Sequence, residues 1–352
     1  MSRIGKSVIH AGLETLYFTG GYRLARPFLA GVGTILTFHR VRPALPDGFQ
    51  PNSSLEITPE FLDEVIGRLS GAGFDLVTLN EMHRRLVEQD FGRRFIALTF
   101  DDGYRDNRDF ALPILQRHGA PATLYLPSSF AEGTGELWWI ELERAIAASD
   151  SIEVMLDGEM RRFDTATDSA KDEAFTTIYW SLRSLPDEQD MRRICRELAV
   201  AAGVDAAGIC REICMDWDEI AAFAADPLIT IGAHTDTHIQ VAKASADVAR
   251  REMEAGAARI EERLGARPKH FAYPVGDPSS AGPRDFALAA DLGFLTATTT
   301  RPGVLFPEHS GHLTALPRIS VNGSFQRFRH LDVLLSGAPT ALLNRFKRVD
   351  AA

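Results

Sequence analysis

Short uncharged runs alternate with longer amphipathic stretches along most of this chain. Residues 34–41, 74–79, 95–100, 122–126, 228–233, 269–273 and 294–299 have the β-branched, apolar make-up of buried strands, and 316–321 reads as a further strand. Between them lie helix patterns. Thr58 is placed as an N-cap with Pro59 at the first helical position, and Phe61, Leu62, Val65, Ile66 and Leu69 follow at helical spacing. Asn80 is expected to cap a helix over 81–88, and further helices are expected over 106–118, 217–225, 244–264 and 282–292. Strand and helix alternating at this spacing indicate parallel β/α units, arranged either as a barrel or as a doubly wound sheet. Both architectures gather function at the C-terminal ends of strands, which puts His39, Asp101-Asp102 and Pro127-Ser128 on one rim.

The alternation lapses between about 131 and 215. That segment is acidic and rich in helix formers (138–148, 170–185, 188–202), with a strand-like 152–156, and reads as a mostly helical insertion between two barrel strands. The expected organisation is therefore a basic N-terminal segment over 1–33, a body over 34–321 carrying the insertion, and a basic tail over 322–352 that closes as a helix.

Composition narrows the function. With 352 residues, 45% hydrophobic and 24% charged, the chain has ample material for a large core. A net charge of −10 argues against a nucleic-acid partner, whose phosphates require a basic surface. The charge is uneven. Arg3, Lys6, Arg23, Arg26, Arg40 and Arg42 face one acid, Glu14, in residues 1–43, and Arg327, Arg329, Arg345, Lys347 and Arg348 face Asp332 in 322–349. Such ends can make a peripheral contact with an anionic membrane, although pairing with the acidic body is the plainer reading. Cys195, Cys210 and Cys214 form no CxxC pair and are expected as free thiols. Residues 7–25 are broken by His10, Glu14 and Arg23, so no signal-peptide core is read there, and 28–38 is only about half a membrane span. A cytoplasmic location is the expectation.

The chemistry concentrates at strand ends. Residues 95–103, Phe-Ile-Ala-Leu-Thr-Phe-Asp-Asp-Gly, deliver two adjacent carboxylates where an apolar strand stops. Adjacent carboxylates repel, so a cation, a base or solvent must offset them. His234 and His238, four apart after another strand, are spaced to share a metal ion. Two imidazoles and one carboxylate make a facial ligand set for a divalent catalytic metal, with the second carboxylate left over as a base.

Thr99-Phe-Asp-Asp-Gly103, His234-Thr-Asp-Thr-His238 and Phe271-Ala-Tyr-Pro-Val-Gly276 together resemble the first three motifs of the polysaccharide deacetylase family, carbohydrate esterase family 4 with its NodB homology domain. The resemblance spans about 34–130 and 215–321. It implies a distorted (β/α)7 barrel and a metal-dependent hydrolase that takes acetyl groups from sugars, with acetylated oligo- or polysaccharide as the substrate. By position, Asp101 is implied as the general base and Asp102, His234 and His238 as ligands of one divalent ion, zinc in the first place, with cobalt or nickel as alternatives. The third motif departs from the pattern: most members carry an arginine that braces the base where Ala272 stands. This resembles the exopolysaccharide-type subgroup, in which the motif order is permuted and a strand-end histidine comes first. Leu36-Thr-Phe-His-Arg-Val41 is similar to that element, and His39 is implied as the general acid. Small cyclic amides or imides are a rival substrate class on the same fold, and a non-catalytic glycan-binding barrel is a rival of another kind.

Other residues have weaker claims. Tyr273, Pro274, Val275 and Gly276 are expected to line the acyl pocket and offer a backbone N–H to an oxyanion. Trp138 and Trp139 suit either a sugar face or helix packing. Asp106 and Asn107 are read as helix caps. Arg318, at the start of the last strand, is a candidate partner for a rim carboxylate on position alone.

Overall fold

The structure, a computed structural model, describes residues 3–351, with side chains from residue 7 onward. The side chains of Arg3 and Lys6, two of the basic residues noted above, therefore lie outside it. Seven parallel strands close into a barrel: β1 (Gly33–Phe38), β2 (Phe95–Asp101), β3 (Ala122–Leu126), β4 (Ile229–Ala233), β5 (His270–Ala272), β6 (Thr296–Pro302) and β7 (Leu316–Ser320), in the ring order β1-β7-β6-β5-β4-β3-β2. β1 pairs with β2 from Gly33 opposite Phe95 to Phe38 opposite Phe100, and this ladder closes the ring. The doubly wound alternative is excluded, because an open sheet would leave β1 and β2 as unpaired edges.

Alternation along the strands divides the core. Ile35, Phe95, Ala97, Tyr125, Ala272 and Leu316 fill one apolar cluster, while Leu36, Phe38, Leu98, Phe100, Phe271 and Tyr273 pack into another with the surrounding helices. The Thr58 cap forms as expected on α1 (Pro59–Gly71), its hydroxyl accepting from Phe61 N–H at 3.2 Å. The Asn80 cap does not. Thr78 caps α2 (Leu79–Glu88) instead, accepting from Glu81 N–H at 3.1 Å, and Asn80 Oδ1 turns to His270 Nε2 at 3.2 Å. The strand read over 74–79 shrinks to Asp75–Leu76.

The segment between β3 and β4 builds its own apolar cluster from α3 (Trp138–Ala147), α4 (Asp168–Ser184), α5 (Glu188–Ala201) and α6 (Ala206–Ile213). Within it, Ser151–Leu156 pairs antiparallel with Glu159–Asp164, a hairpin of which the sequence pattern marks only the first strand. Its outer strand is exposed and charged, without the alternation that marks a half-buried strand. All three cysteines are buried and free.

The chain ends form helices that touch one another. Two N-terminal helices, Arg3–Phe18 and Gly21–Leu29, pack on two C-terminal ones, Phe328–Leu335 and Ala338–Leu343, where a single closing helix was expected. Gly337, at φ 73°, makes the break, and a Cβ there would strike the Leu29 carbonyl. No described helix is long and apolar enough to cross a membrane.

Candidate active site

The strand-end residues meet at the mouth of the barrel. Asp101 is the last residue of β2, and Asp102 follows in the left-handed region, φ 76°, with its N–H held by Tyr125 O at 3.0 Å. Gly103 continues left-handed at φ 72°, and a Cβ on it would meet Leu126. This double reversal aims the two neighbouring carboxylates in different directions. Thr235, His238 and Val275 also have positive φ, so four of the described non-glycine residues in this region sit on the rim. Such backbone is costly and persists where packing dictates it, as it does around ligand sites.

Asp102 Oδ1 lies 3.6 Å from His234 Nε2 and 3.3 Å from His238 Nε2, and all three side chains are buried. Neither Asp102 Oδ1 nor His238 Nδ1 has a hydrogen-bond partner. His234 Nδ1 is 2.6 Å from Ala272 O, which fixes the ring and turns Nε2 inward. Burial lowers the His234 pKa to about 4, so the ring is neutral and able to act as a ligand. A cation with ligands at about 2.1 Å would hold them about 3.4 Å apart in a tetrahedral set. The observed spacings fit, and an orphaned buried carboxylate oxygen is the group such an ion would satisfy. His10, Glu14 and His330 also cluster. There, however, Arg329 donates to Glu14 Oε1 from two nitrogens at 2.9 and 2.7 Å, and that charge disfavours a cation.

Asp101 is held differently. Arg318 donates from Nη1 to Asp101 Oδ1 at 2.7 Å and from Nη2 to Oδ2 at 2.8 Å, while its Nε donates to Thr299 O at 2.9 Å. Burial alone would push the Asp101 carboxyl up, but Arg318, with His234 and His39 behind it, carries it below its ordinary value. No arginine stands at Ala272, and the guanidinium that reaches Asp101 comes instead from β7. Ala272 belongs to the same interior cluster as Tyr125, over whose ring the Arg318 guanidinium lies at 5.7 Å.

His39 follows β1 on the same rim, its Nε2 3.9 Å from Asp101 Oδ2. Asp106 and Asn107 do not cap the following helix with their side chains. They secure the exit of β1: Asn107 Nδ2 donates to His39 O at 2.8 Å, and Asp106 accepts from Val41 N–H at 3.0 Å and Arg40 Nε at 2.8 Å. The insertion secures the other side. A buried Glu188–Arg192 pair on α5 grips the loop after His234, with Arg192 Nη2 on His238 O at 2.8 Å and Glu188 Oε2 on Gln240 N–H at 2.6 Å.

A cavity of about 850 Å³ opens over these groups, lined by His39, Asp101, Asp102, His234, His238 and Val275 and extended along α4 by Thr176, Tyr179 and the half-exposed Trp180. Trp138 and Trp139 line it while being nearly buried; Trp139 packs on His238 with ring centres 5.2 Å apart and donates to Tyr104 Oη at 3.2 Å. Of the turn after β5, only Val275 lines the cavity. Tyr273 is buried against Phe271 and Phe286 with its hydroxyl on Thr314 O at 2.8 Å. Its N–H donates to Thr298 O and that of Gly276 to Pro274 O, so Val275 offers this turn's amide with no acceptor among the described residues.

Residues 88–295 match the family described as polysaccharide deacetylase. No curated protein matches the chain. Among solved structures, the chain resembles Streptococcus pyogenes deacetylase PplD in complex with acetate, with a TM-score of 0.57 and 18% identity over 87% of this chain and 98% of that one. It also resembles IcaB from Ammonifex degensii (0.54, 17%, 87% and 96%) and the de-N-acetylase from Aggregatibacter actinomycetemcomitans (0.52, 12%, 86% and 99%). At these identities the likeness is one of fold.

Proposed function

We propose that this chain, which belongs to the polysaccharide deacetylase family, removes N-acetyl groups from an N-acetylglucosamine-containing oligo- or polysaccharide with the aid of one divalent cation, zinc before cobalt or nickel. The observation that carries the reading is the division of labour between adjacent carboxylates: Asp102 beside His234 and His238, Asp101 clasped by Arg318.

Asp102, His234 and His238 would hold the cation, which when bound supplies Lewis-acid polarisation of the acetyl carbonyl and of water. Asp101, kept as a carboxylate, takes a proton from the attacking water as its oxygen bonds to the acetyl carbon. Val275 N–H faces the oxygen on which negative charge develops; losing one such donor typically costs on the order of 10²–10³ in rate. His39 gives a proton to the amide nitrogen as the C–N bond breaks, leaving acetate and a free amine.

The length of the groove along α4 favours a glycan over a small cyclic amide or imide. The Arg318 contact counts against a non-catalytic barrel, since Asp101 is braced despite the alanine at 272. The test is acetate release from N-acetylglucosamine oligomers by protein loaded with zinc, cobalt or nickel. Release should be lost in Asp101→Asn with metal binding retained. A fully loaded enzyme inert on both N- and O-acetylated glycans would sink the proposal.

A further inference from the structure

The terminal helices and the residues just after them leave several large apolar side chains in solvent. Phe18, Leu24, Phe28, Leu342, Leu343 and Phe346 are each between 60% and 79% exposed. Isolated exposed apolar side chains are ordinary, but a group of six large ones is not. Leu24 and Phe28 lie one turn apart on Gly21–Leu29, and that helix packs on Ala338–Leu343, which with the residues just after it supplies the other C-terminal members. Arg94, the residue before β2, donates to Ala30 O at 2.7 Å and Leu335 O at 3.0 Å. The group therefore sits by the end of the barrel where β1 and β2 begin, opposite the rim that carries His39 and Asp101.

Charge selects the occupant of this face. Arg345 and Lys347 are exposed and have no carboxylate partner among the described residues, and Arg23 is exposed with its Nε on Tyr22 Oη. The nearby acids are already engaged: Glu14 with Arg329, Asp332 with Arg26, Glu308 with Arg348 and Asp350 with Arg301. A surface of exposed aromatic and leucine side chains with unpaired basic groups, on a protein whose net charge is −10, is complementary to an anionic bilayer and would meet it with this end alone.

We propose that the paired terminal helices dock the protein on an anionic lipid surface through Phe28, Phe346 and their neighbours, with Arg345 and Lys347 at the headgroups and the catalytic mouth turned away from the lipid. This rests on surface residues alone and does not depend on the deacetylase reading.

The experiment is flotation of the full chain with vesicles of phosphatidylcholine, with and without phosphatidylglycerol. The protein should float with the anionic vesicles and remain behind with the neutral ones. Phe28→Ser/Phe346→Ser and Arg345→Glu/Lys347→Glu should each weaken binding about tenfold or more, with unchanged thermal melting because all four side chains are exposed. The proposal is overturned if the protein ignores anionic vesicles, if it floats equally with neutral ones, or if light scattering shows a dimer that the apolar variant dissociates, since a second copy would then cover the face.

Discussion

Arg318 and Asp101 are 217 residues apart in sequence, yet the guanidinium holds both carboxylate oxygens, at 2.7 and 2.8 Å, inside the barrel mouth. The pair is buried, so its two halves are not independent. Removing one partner leaves a charge without water or a counter-ion, a loss of about 3–5 kcal/mol, whereas removing both is far milder.

Arg318→Met should therefore destabilise the fold strongly, and Asp101→Asn combined with Arg318→Met should recover much of that loss in a denaturant-unfolding cycle. The direction of the pH effect follows from the lowered Asp101 pKa. A depressed carboxylate contributes stability above its unfolded pKa and loses it as pH falls through the folded value. Without Arg318, burial dominates and the carboxyl moves up. The acid limb of kcat/KM should then shift to higher pH, and Arg318→Lys, which keeps the charge without the two-pronged contact, should fall between. An unmoved acid limb in both variants would remove Asp101 as the titrating base.

The cluster of Asp102, His234 and His238, proposed as the ligand set, predicts metal-linked stability. A ligand that binds only the folded state stabilises it by about 2.7 kcal/mol at a hundred times its Kd. Zinc should raise the melting temperature of the wild-type protein, a chelator should reverse the rise, and Asp102→Asn should abolish it. Asp101→Asn should preserve it, because Arg318, not the ligand set, occupies that carboxylate. Equal zinc stabilisation in Asp102→Asn and wild type would place the ion elsewhere.

His39 is assigned to protonate the leaving group, and leaving-group dependence tests that role directly. His39→Ala should lower kcat on an N-acetyl sugar by about 10²–10⁴ with little change in KM. On an aryl acetate, whose phenolate departs without a proton, the same variant should lose little. Uniform loss on both substrates would instead mark His39 as a residue that positions Asp101, 3.9 Å away.

The barrel was legible because buried parallel strands are continuous apolar runs, and the clustering of Asp102, His234 and His238 because they belong to short local motifs. What escaped were relations made only by closing the ring. Ala272 reads in sequence as a lost brace, and although Arg318 stands as a candidate partner for a rim carboxylate, nothing local says that β7 comes round to lie two strands away and turns that side chain to Asp101. Tyr273 reads in sequence as a residue of the acyl pocket. Its ring packs outward among the helices while its neighbour Ala272 faces inward, and a one-residue step between faces is hard to place where a strand ends. Likewise Glu188 and Arg192 carry no signal of their own in sequence; only the packing of the insertion shows this i, i+4 pair gripping the His238 loop.

Gly256 carries the same lesson into a prediction whose sign is unexpected. It lies inside Ala246–Leu264, where replacing glycine by alanine ordinarily stabilises a helix by about 0.5–1 kcal/mol. Here a Cβ would lie 2.4 Å from Thr235 O, 2.5 Å from Thr235 C and 2.9 Å from Asp236 N. These are backbone atoms of the turn between His234 and His238, and the same helix already binds that turn through Glu252, whose carboxylate accepts from Thr237 N–H and Oγ1, both at 2.9 Å. Helix and turn cannot separate without breaking those bonds, nor approach without moving the ligands. Gly256→Ala should therefore destabilise the fold by about 1–3 kcal/mol and weaken zinc binding about 10–100-fold. Gly71→Ala, where a Cβ meets nothing within 4 Å, should be neutral or stabilising. Unchanged melting and unchanged zinc affinity in Gly256→Ala would mean that the helix can shift freely from the turn, and that its close approach has no part in holding His234 and His238.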